Sequence, residues 1–298
     1  MEKLMHNKRF VFLSLGVVGV ILCLVVVACS HRVTTTVTTG SGLSVTPFES
    51  IKLNVTPGEK TTQQLTVSLG IQSTAMKIAV DVMGFGSSPS GSPQVIEPVE
   101  DTGQYTARLF ITLSKSSFEL KPGESQNIIA RISVPANVGA GGRFALIYIH
   151  QQIPAGGTGA GSASAFNIPV LLTIEGSTLT QTGKITALSA SGVTSGQPIW
   201  ITTEFQNNGN VFFKVEGNVA VINAQGQTVD TLSIPLTASS IIPGATRQIL
   251  TNFTPTSALA VGTYTIDSKV MLQDGTLMDE STSTFAVTTE YVPPVVTP

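Results

Sequence analysis

The stretch Phe118–Pro135, "FELKPGESQNIIARISVP", decides the fold class. In it Ile128, Ala130, Ile132 and Val134 alternate with other residues, so an extended chain would place all four on one face. Ahead of that run stands Pro122-Gly123. Proline presets φ near −65° for one corner of a turn, and glycine accepts the positive φ that a type II turn needs next. The device recurs at Pro57-Gly58 in "LNVTPGEKTTQQLTVSL" and at Pro243-Gly244 in "SIIPGATRQILTNFTP". Each pair follows one apolar run and precedes an alternating one. Proline has no N–H for a ladder, so these pairs punctuate strands.

The same period of two extends through most of the chain. Ile51, Leu53 and Val55 share a face, as do Leu65, Val67 and Leu69, and Met76, Ile78, Val80 and Val82. "FALIYIH" and "IPVLLTI" are more continuously apolar, as central sandwich strands can be. A second series begins near Lys184 and includes "PIWITTEFQNNGN", where Ile199, Ile201, Thr203 and Phe205 alternate. Asn208-Gly209 reads as a tight turn with positive φ, Gly226 as a turn, and Asp274-Gly275 as the tip of a hairpin. Short strands at regular spacing with turn residues between them indicate β-sandwiches. The expectation is an all-β chain with two immunoglobulin-like β-sandwich domains in tandem, 44–176 and 182–288, after an N-terminal hydrophobic helix. Residues 289–298 read as a Pro-rich tail.

The chain has 298 residues, 42% hydrophobic but only 11% charged, with a formal net charge of −2. Thr, Ser, Gly, Asn and Gln supply its polarity, as in β-rich extracytoplasmic proteins. No basic run appears beyond the first residues, so the electrostatic footprint of a nucleic-acid binder is missing.

"MEKLMHNKR" carries Lys3, Lys8 and Arg9, and Phe10 to Ala28 carries no charge. A helix of that length spans about 28 Å, close to a bilayer core. Basic residues ahead of the apolar run favour a cytoplasmic N-terminus and export of the chain beyond the run. The run ends in "VVAC", Val26 to Cys29. This resembles the bacterial lipobox, which implies cleavage and lipid attachment at Cys29. An uncleaved transmembrane anchor is the other reading, and both tether the protein to the outer face of a bacterial membrane. Residues 1–29 are then the signal or anchor segment and 30–43 a flexible tether.

Chemistry-bearing constellations are sparse. Both cysteines, Cys23 and Cys29, lie in the leader, so the folded part holds no disulfide or thiolate metal site. Of three histidines, His6 and His31 precede the first domain and His150 ends a strand. "GGTGAGSASA", Gly156 to Ala165, lacks the lysine and following helix of a phosphate loop and reads as a loop joining two strands. Glu97, Glu100 and Asp101, and separately Asp274, Asp279 and Glu280, could form loop calcium sites or solvated turns. Trp200, opposite the Ile199 and Ile201 face, is either a glycan platform or the cover of a core edge or domain junction. The sequence contains no catalytic motif and implies no cofactor.

The first series also carries a family resemblance. "LSVTPFESIKLNVTPGEKTTQQLTVSL", "FITLSKSSFELKPGESQNIIARISVPANVGAGGRFALIYIH" and "FNIPVLLTIEG" together resemble the N-terminal immunoglobulin-like domain of WxL-interacting cell-surface proteins, over residues 44–176. That domain is regarded as peptidoglycan-binding. The order "F-x-L-x-P-G-E-S", Val-Pro, a Gly-rich turn and "I-P-V-L-L-T-I" is also similar to periplasmic pilus chaperones, but no match to their basic cleft residues is visible. These likenesses imply a non-enzymatic, membrane-tethered surface protein, structural or adhesive, that contacts cell-wall polymer or a partner surface protein. The alternative is an assembly accessory that works by β-strand pairing at an open sheet edge.

Overall fold

The computed structural model describes residues 42–152, 165–191 and 194–288. Ten strands form the first sandwich: β1 (Leu43–Thr46), β2 (Ile51–Val55), β3 (Lys60–Leu69), β4 (Met76–Ser87), β5 (Pro93–Ile96), β6 (Ile111–Leu113), β7 (Ser117–Leu120), β8 (Ser125–Ser133), β9 (Gly141–Gln151) and β10 (Ala165–Ile174). One sheet runs β1-β3-β8-β6. The other runs β2-β10-β9-β4-β5, with β7 also on β4. Seven strands form the second: β11 (Gly183–Ser191), β12 (Ile199–Asn207), β13 (Glu216–Ile222), β14 (Thr228–Ile234), β15 (Thr246–Phe253), β16 (Gly262–Met271) and β17 (Leu277–Val287). Its sheets run β11-β12-β15 and β14-β13-β16-β17. The expected leader helix, tether, Cys29 and tail lie outside the described residues. Among the described residues, no helix is long and apolar enough to cross a membrane.

The alternating faces become the cores. Leu65, Val67 and Leu69 of β3 and Ile128, Ala130 and Ile132 of β8 are buried against Ile147, Ile149, Val170 and Leu172. In the second core Ile199, Ile201 and Phe205 meet Val219, Val221, Ile266 and Val270. Each of these valine, leucine, isoleucine and phenylalanine side chains contributes about 1.5–3 kcal/mol on leaving water. Thr203 keeps the alternation although it is polar, because its Oγ1 lies 3.0 Å from Ser268 Oγ across the two sheets. The pairing satisfies two buried hydroxyls at once.

All three Pro-Gly pairs form the expected turns. Gly58, Gly123 and Gly244 have φ of 84°, 78° and 79°. The turns close through Glu59 N–H to Thr56 O (3.1 Å), Glu124 N–H to Lys121 O (3.0 Å) and Ala245 N–H to Ile242 O (3.0 Å). Asp274-Gly275 also forms its hairpin, with Gly275 at φ 85°.

Asn208-Gly209 departs from expectation. Gly209 does not adopt a positive φ, and a Cβ there would overlap the backbone of Thr180 and Thr182. The turn is shaped by Asn207, which is fully buried. Its amide donates to Val211 O and Ile241 O, both at 2.8 Å, and its Oδ1 accepts the Gly209 N–H at 2.8 Å. A local side-chain network has displaced the generic hairpin geometry of the Asn-Gly pair.

β2 pairs with β10 in parallel, Ile51↔Val170 through Val55↔Ile174. Upstream of Ile51 the chain crosses to the opposite sheet, where β1 pairs with β3. β9 covers the full length of β10, Gly141↔Ile174 through His150↔Ala165. The half of β10 from Ala165 to Pro169 therefore has a ladder partner on one side only, among the described residues.

Candidate functional site

The two sandwiches meet over a small apolar cluster. Phe144 of β9 and Leu171 of β10 contact Ile242, with Phe85, Tyr105, Phe212 and Ala245 packed around them. Phe144 and Phe212 meet edge to face at 6.2 Å, a favoured aromatic geometry. The third Pro-Gly turn thus has a purpose beyond reversing the chain, since it delivers Ile242 into this junction. Backbone bonds reinforce the contact: Gly142 N–H donates to Asn210 O at 2.6 Å and Gln248 N–H to Pro89 O at 2.8 Å.

Beside this cluster the junction opens into a cleft of about 630 Å³, walled by the outer face of β2 and β10 and by residues 238–240 of the second sandwich. Two lysines face it, Lys52 from β2 and Lys214 from the segment before β13. Lys52 Nζ donates to Ser240 Oγ at 3.1 Å and lies 6.0 Å from the Phe212 ring centroid. Desolvation by the cleft wall, then repulsion from Lys214, holds the Lys52 pKa below the ordinary lysine value; Glu49 counters this in part. Among the described residues, neither lysine has a carboxylate within ion-pair distance. Glu49 also lines the cleft but stands outside ion-pair distance of both, and two ammonium groups that repel each other across a concave wall favour a further anion between them. Phe48 stands at the same cleft with 71% of its surface exposed.

The open half of β10 leads to that cleft. Glu175 N–H donates to Val55 O at 2.9 Å, so by the two-residue alternation the odd-numbered amides of β10 point toward the β2 side. Ala165 and Asn167 then present N–H groups to an unpaired edge. Pro169 has no N–H to present, and its missing donor falls on that open side, the setting in which a strand tolerates proline. A strand laid parallel to β10 along this edge would end where β2 begins, at Ile51 and Lys52.

The other candidate residues go elsewhere. His150 Nε2 lies 3.1 Å from Asp81 Oδ2, and its ring stacks on Tyr148 at 4.6 Å. The first carboxylate group does not converge, because Asp101 is held by the Thr106 hydroxyl and sits 3.5 Å from Arg108 Nε. The second divides among three tasks. Asp274 accepts Thr276 N–H, Asp279 accepts Ile185 N–H, and Glu280 pairs with Lys269 at 2.9 Å. Among the described residues, no group of three or more potential metal ligands occurs. Trp200 is not at the junction; it is 47% exposed on the outer face of β12, opposite Asn252 and Ser191. Gly156 to Ser164 lies outside the described residues.

Sequence reasoning missed Lys52 and Lys214 because they stand 162 positions apart, one in the short strand "IKLNV" and the other in "FFKVEG", the segment that leads into β13. The usable signal was confined to Lys52, which shares the outward parity of β2 with Asn54 opposite the apolar Ile51, Leu53 and Val55.

No protein-family model matches the chain, and no curated protein matches it. Among solved structures, it is similar to a chain of a chaperone–tip adhesin complex of CFA/I fimbriae biogenesis. That match has 12% identity over 80% of this chain and 97% of that one, with a TM-score of 0.41. The class 5 fimbriae chaperone CfaA gives 12% identity, 82% and 98% coverage and a TM-score of 0.39. The CsuC–CsuE pre-assembly complex of Acinetobacter baumannii gives 11%, 85% and 100%, and 0.39. These are likenesses of immunoglobulin-type folds at low identity.

Proposed function

We propose that the protein is an exported, non-enzymatic accessory factor that binds an extended segment of a partner surface protein. The segment adds to the open half of β10 in the direction of β2, and its C-terminal carboxylate rests between Lys52 and Lys214. One observation carries this reading: the unpaired edge and the cation pair share one line, so a single strand meets both. Main-chain pairing supplies affinity with little regard to sequence, and the carboxylate fixes the strand's end. The leader supports export, and "VVAC" supports lipid attachment at Cys29.

The test is a fluorescence-polarisation titration with a labelled alternating Thr-Val peptide, made with a C-terminal acid and with a C-terminal amide. The acid should bind about tenfold tighter, the worth of one charge-assisted contact. Lys52→Met and Lys214→Met should each shrink that ratio. Equal binding of the two peptides contradicts the carboxylate site, and binding of neither contradicts the edge.

A second reading, contact with cell-wall polymer, is favoured by one observation, the exposed indole of Trp200 between Asn252 and Ser191. Retention of the wild type but not Trp200→Ala on purified cell wall would support it.

A further inference from the structure

Arg247 presents a feature that the edge and the cleft lysines leave unexplained. It is 5% exposed at the start of β15, where desolvation lowers its pKa, and no carboxylate among the described residues pairs with it. A buried guanidinium without an anion is costly unless its N–H groups are hydrogen-bonded. Its Nη2 donates to Ser239 Oγ at 3.0 Å, and Ser239 Oγ donates onward to Gly91 O at 2.9 Å. Gly91 belongs to the turn between β4 and β5 in the other sandwich. That turn is closed on itself by Ser88 N–H to Ser92 O at 3.0 Å and Gly91 N–H to Ser88 O at 2.8 Å. Gly91 sits at φ 91°, and a Cβ there would overlap the Arg247 guanidinium. Only glycine combines that backbone with that approach.

The neighbouring Ser240 is the residue that accepts the Lys52 ammonium. The Ser239–Ser240 segment is therefore held from behind by Arg247 and engaged from the front by Lys52. Gly91, Ser239, Ser240, Lys52 and Lys214 all line the same cleft.

We propose that Arg247, Ser239 and Gly91 form a latch between the sandwiches, with Arg247 as the positioning residue that sets the spacing of Lys52 and Lys214. The inference rests on the carboxylate reading above. The latch touches no ligand. It keeps the cleft wall at one distance, so that a carboxylate meets both ammonium groups without first drawing the sandwiches together. Preorganisation of this kind appears as discrimination between ligands more than as raw affinity.

The test measures the ratio of amide-peptide to acid-peptide dissociation constants in the full protein carrying Arg247→Lys, Ser239→Ala or Gly91→Ala. Lysine keeps the charge and loses the fork. Ser239→Ala removes both hydroxyl bonds with no added bulk, so it carries the test if either of the others fails to fold. The expected result is a ratio falling from about tenfold toward one, while the amide peptide binds as it does to the wild type. A ratio unchanged in Arg247→Lys and Ser239→Ala overturns the latch, and so does equal loss of both peptides, which marks a merely structural role. A wild-type ratio of one removes the carboxylate reading itself, a result distinct from either.

Discussion

Lys52 and Ser240 belong to different sandwiches, yet the ammonium of one donates to the hydroxyl of the other at 3.1 Å. The bond places a cation on a wall where a second cation, Lys214, already opposes it. In the folded protein the charged form of Lys52 is disfavoured, so its pKa lies below the ordinary value of 10.5. For a base shifted downward, the unfolded chain binds more protons across the window between the folded pKa and 10.5, and stability rises with pH there. The wild type should therefore gain melting temperature relative to Lys52→Met as pH climbs through that window toward 10.5. Parallel curves for the two proteins would contradict the cleft electrostatics.

Asn207 ties together the two turns nearest the junction. Its alanine variant leaves the Val211 carbonyl without a partner, while Ile241 O keeps the Phe213 N–H and Gly209 N–H keeps Thr182 O; one such buried group costs about 1–3 kcal/mol. Asn207→Ala should lose about 1–3 kcal/mol in urea unfolding with an unchanged m-value. A loss below about 1 kcal/mol would show that water replaces the side chain.

Asp267 behaves in the opposite sense to Lys52. Burial first, and then Glu280, raises its pKa, with Lys269 countering, and its Oδ1 is buried without a hydrogen-bond partner. A raised carboxyl binds more protons in the folded state than in the unfolded chain, so it favours folding as pH falls into the window above the ordinary 3.8. Asp267→Asn should be more stable than the wild type at pH 7. That advantage should shrink as pH falls through the raised pKa. A less stable variant at pH 7 would contradict the assignment.

Trp200 is the sole tryptophan and is 47% exposed. Its emission should be that of a solvated indole, accessible to acrylamide, and Trp200→Ala should alter stability by no more than about 0.5 kcal/mol. Blue-shifted, protected fluorescence would mean that another surface covers it.

Strands, turns and cores were legible because the signals are local. Period-two burial at Leu65, Val67 and Leu69, or at Ile199, Ile201 and Phe205, needs no partner to be read, and Pro-Gly chemistry sets its own φ. Asn208-Gly209 misled because the decisive group was the preceding Asn207, whose partners include Ile241, far along the chain. The cleft was illegible for a related reason. Lys52, Lys214, Ser240 and Gly91 acquire meaning only when two sandwiches face each other, and no spacing rule encodes that approach. Trp200 stood on the expected face of β12, but whether that face was covered depended on packing between domains.

The most direct test of the central claim is amide hydrogen exchange, residue by residue, at Asn167 and Ile168. Asn167 N–H points to the open edge of β10, and Ile168 N–H points to β9. The account predicts that Asn167 exchanges fast in the free protein and slows on saturation with the acid-terminated Thr-Val peptide, while Ile168 is slow throughout. Exchange at Asn167 that stays fast in the saturated complex, or is already slow without peptide, would contradict it.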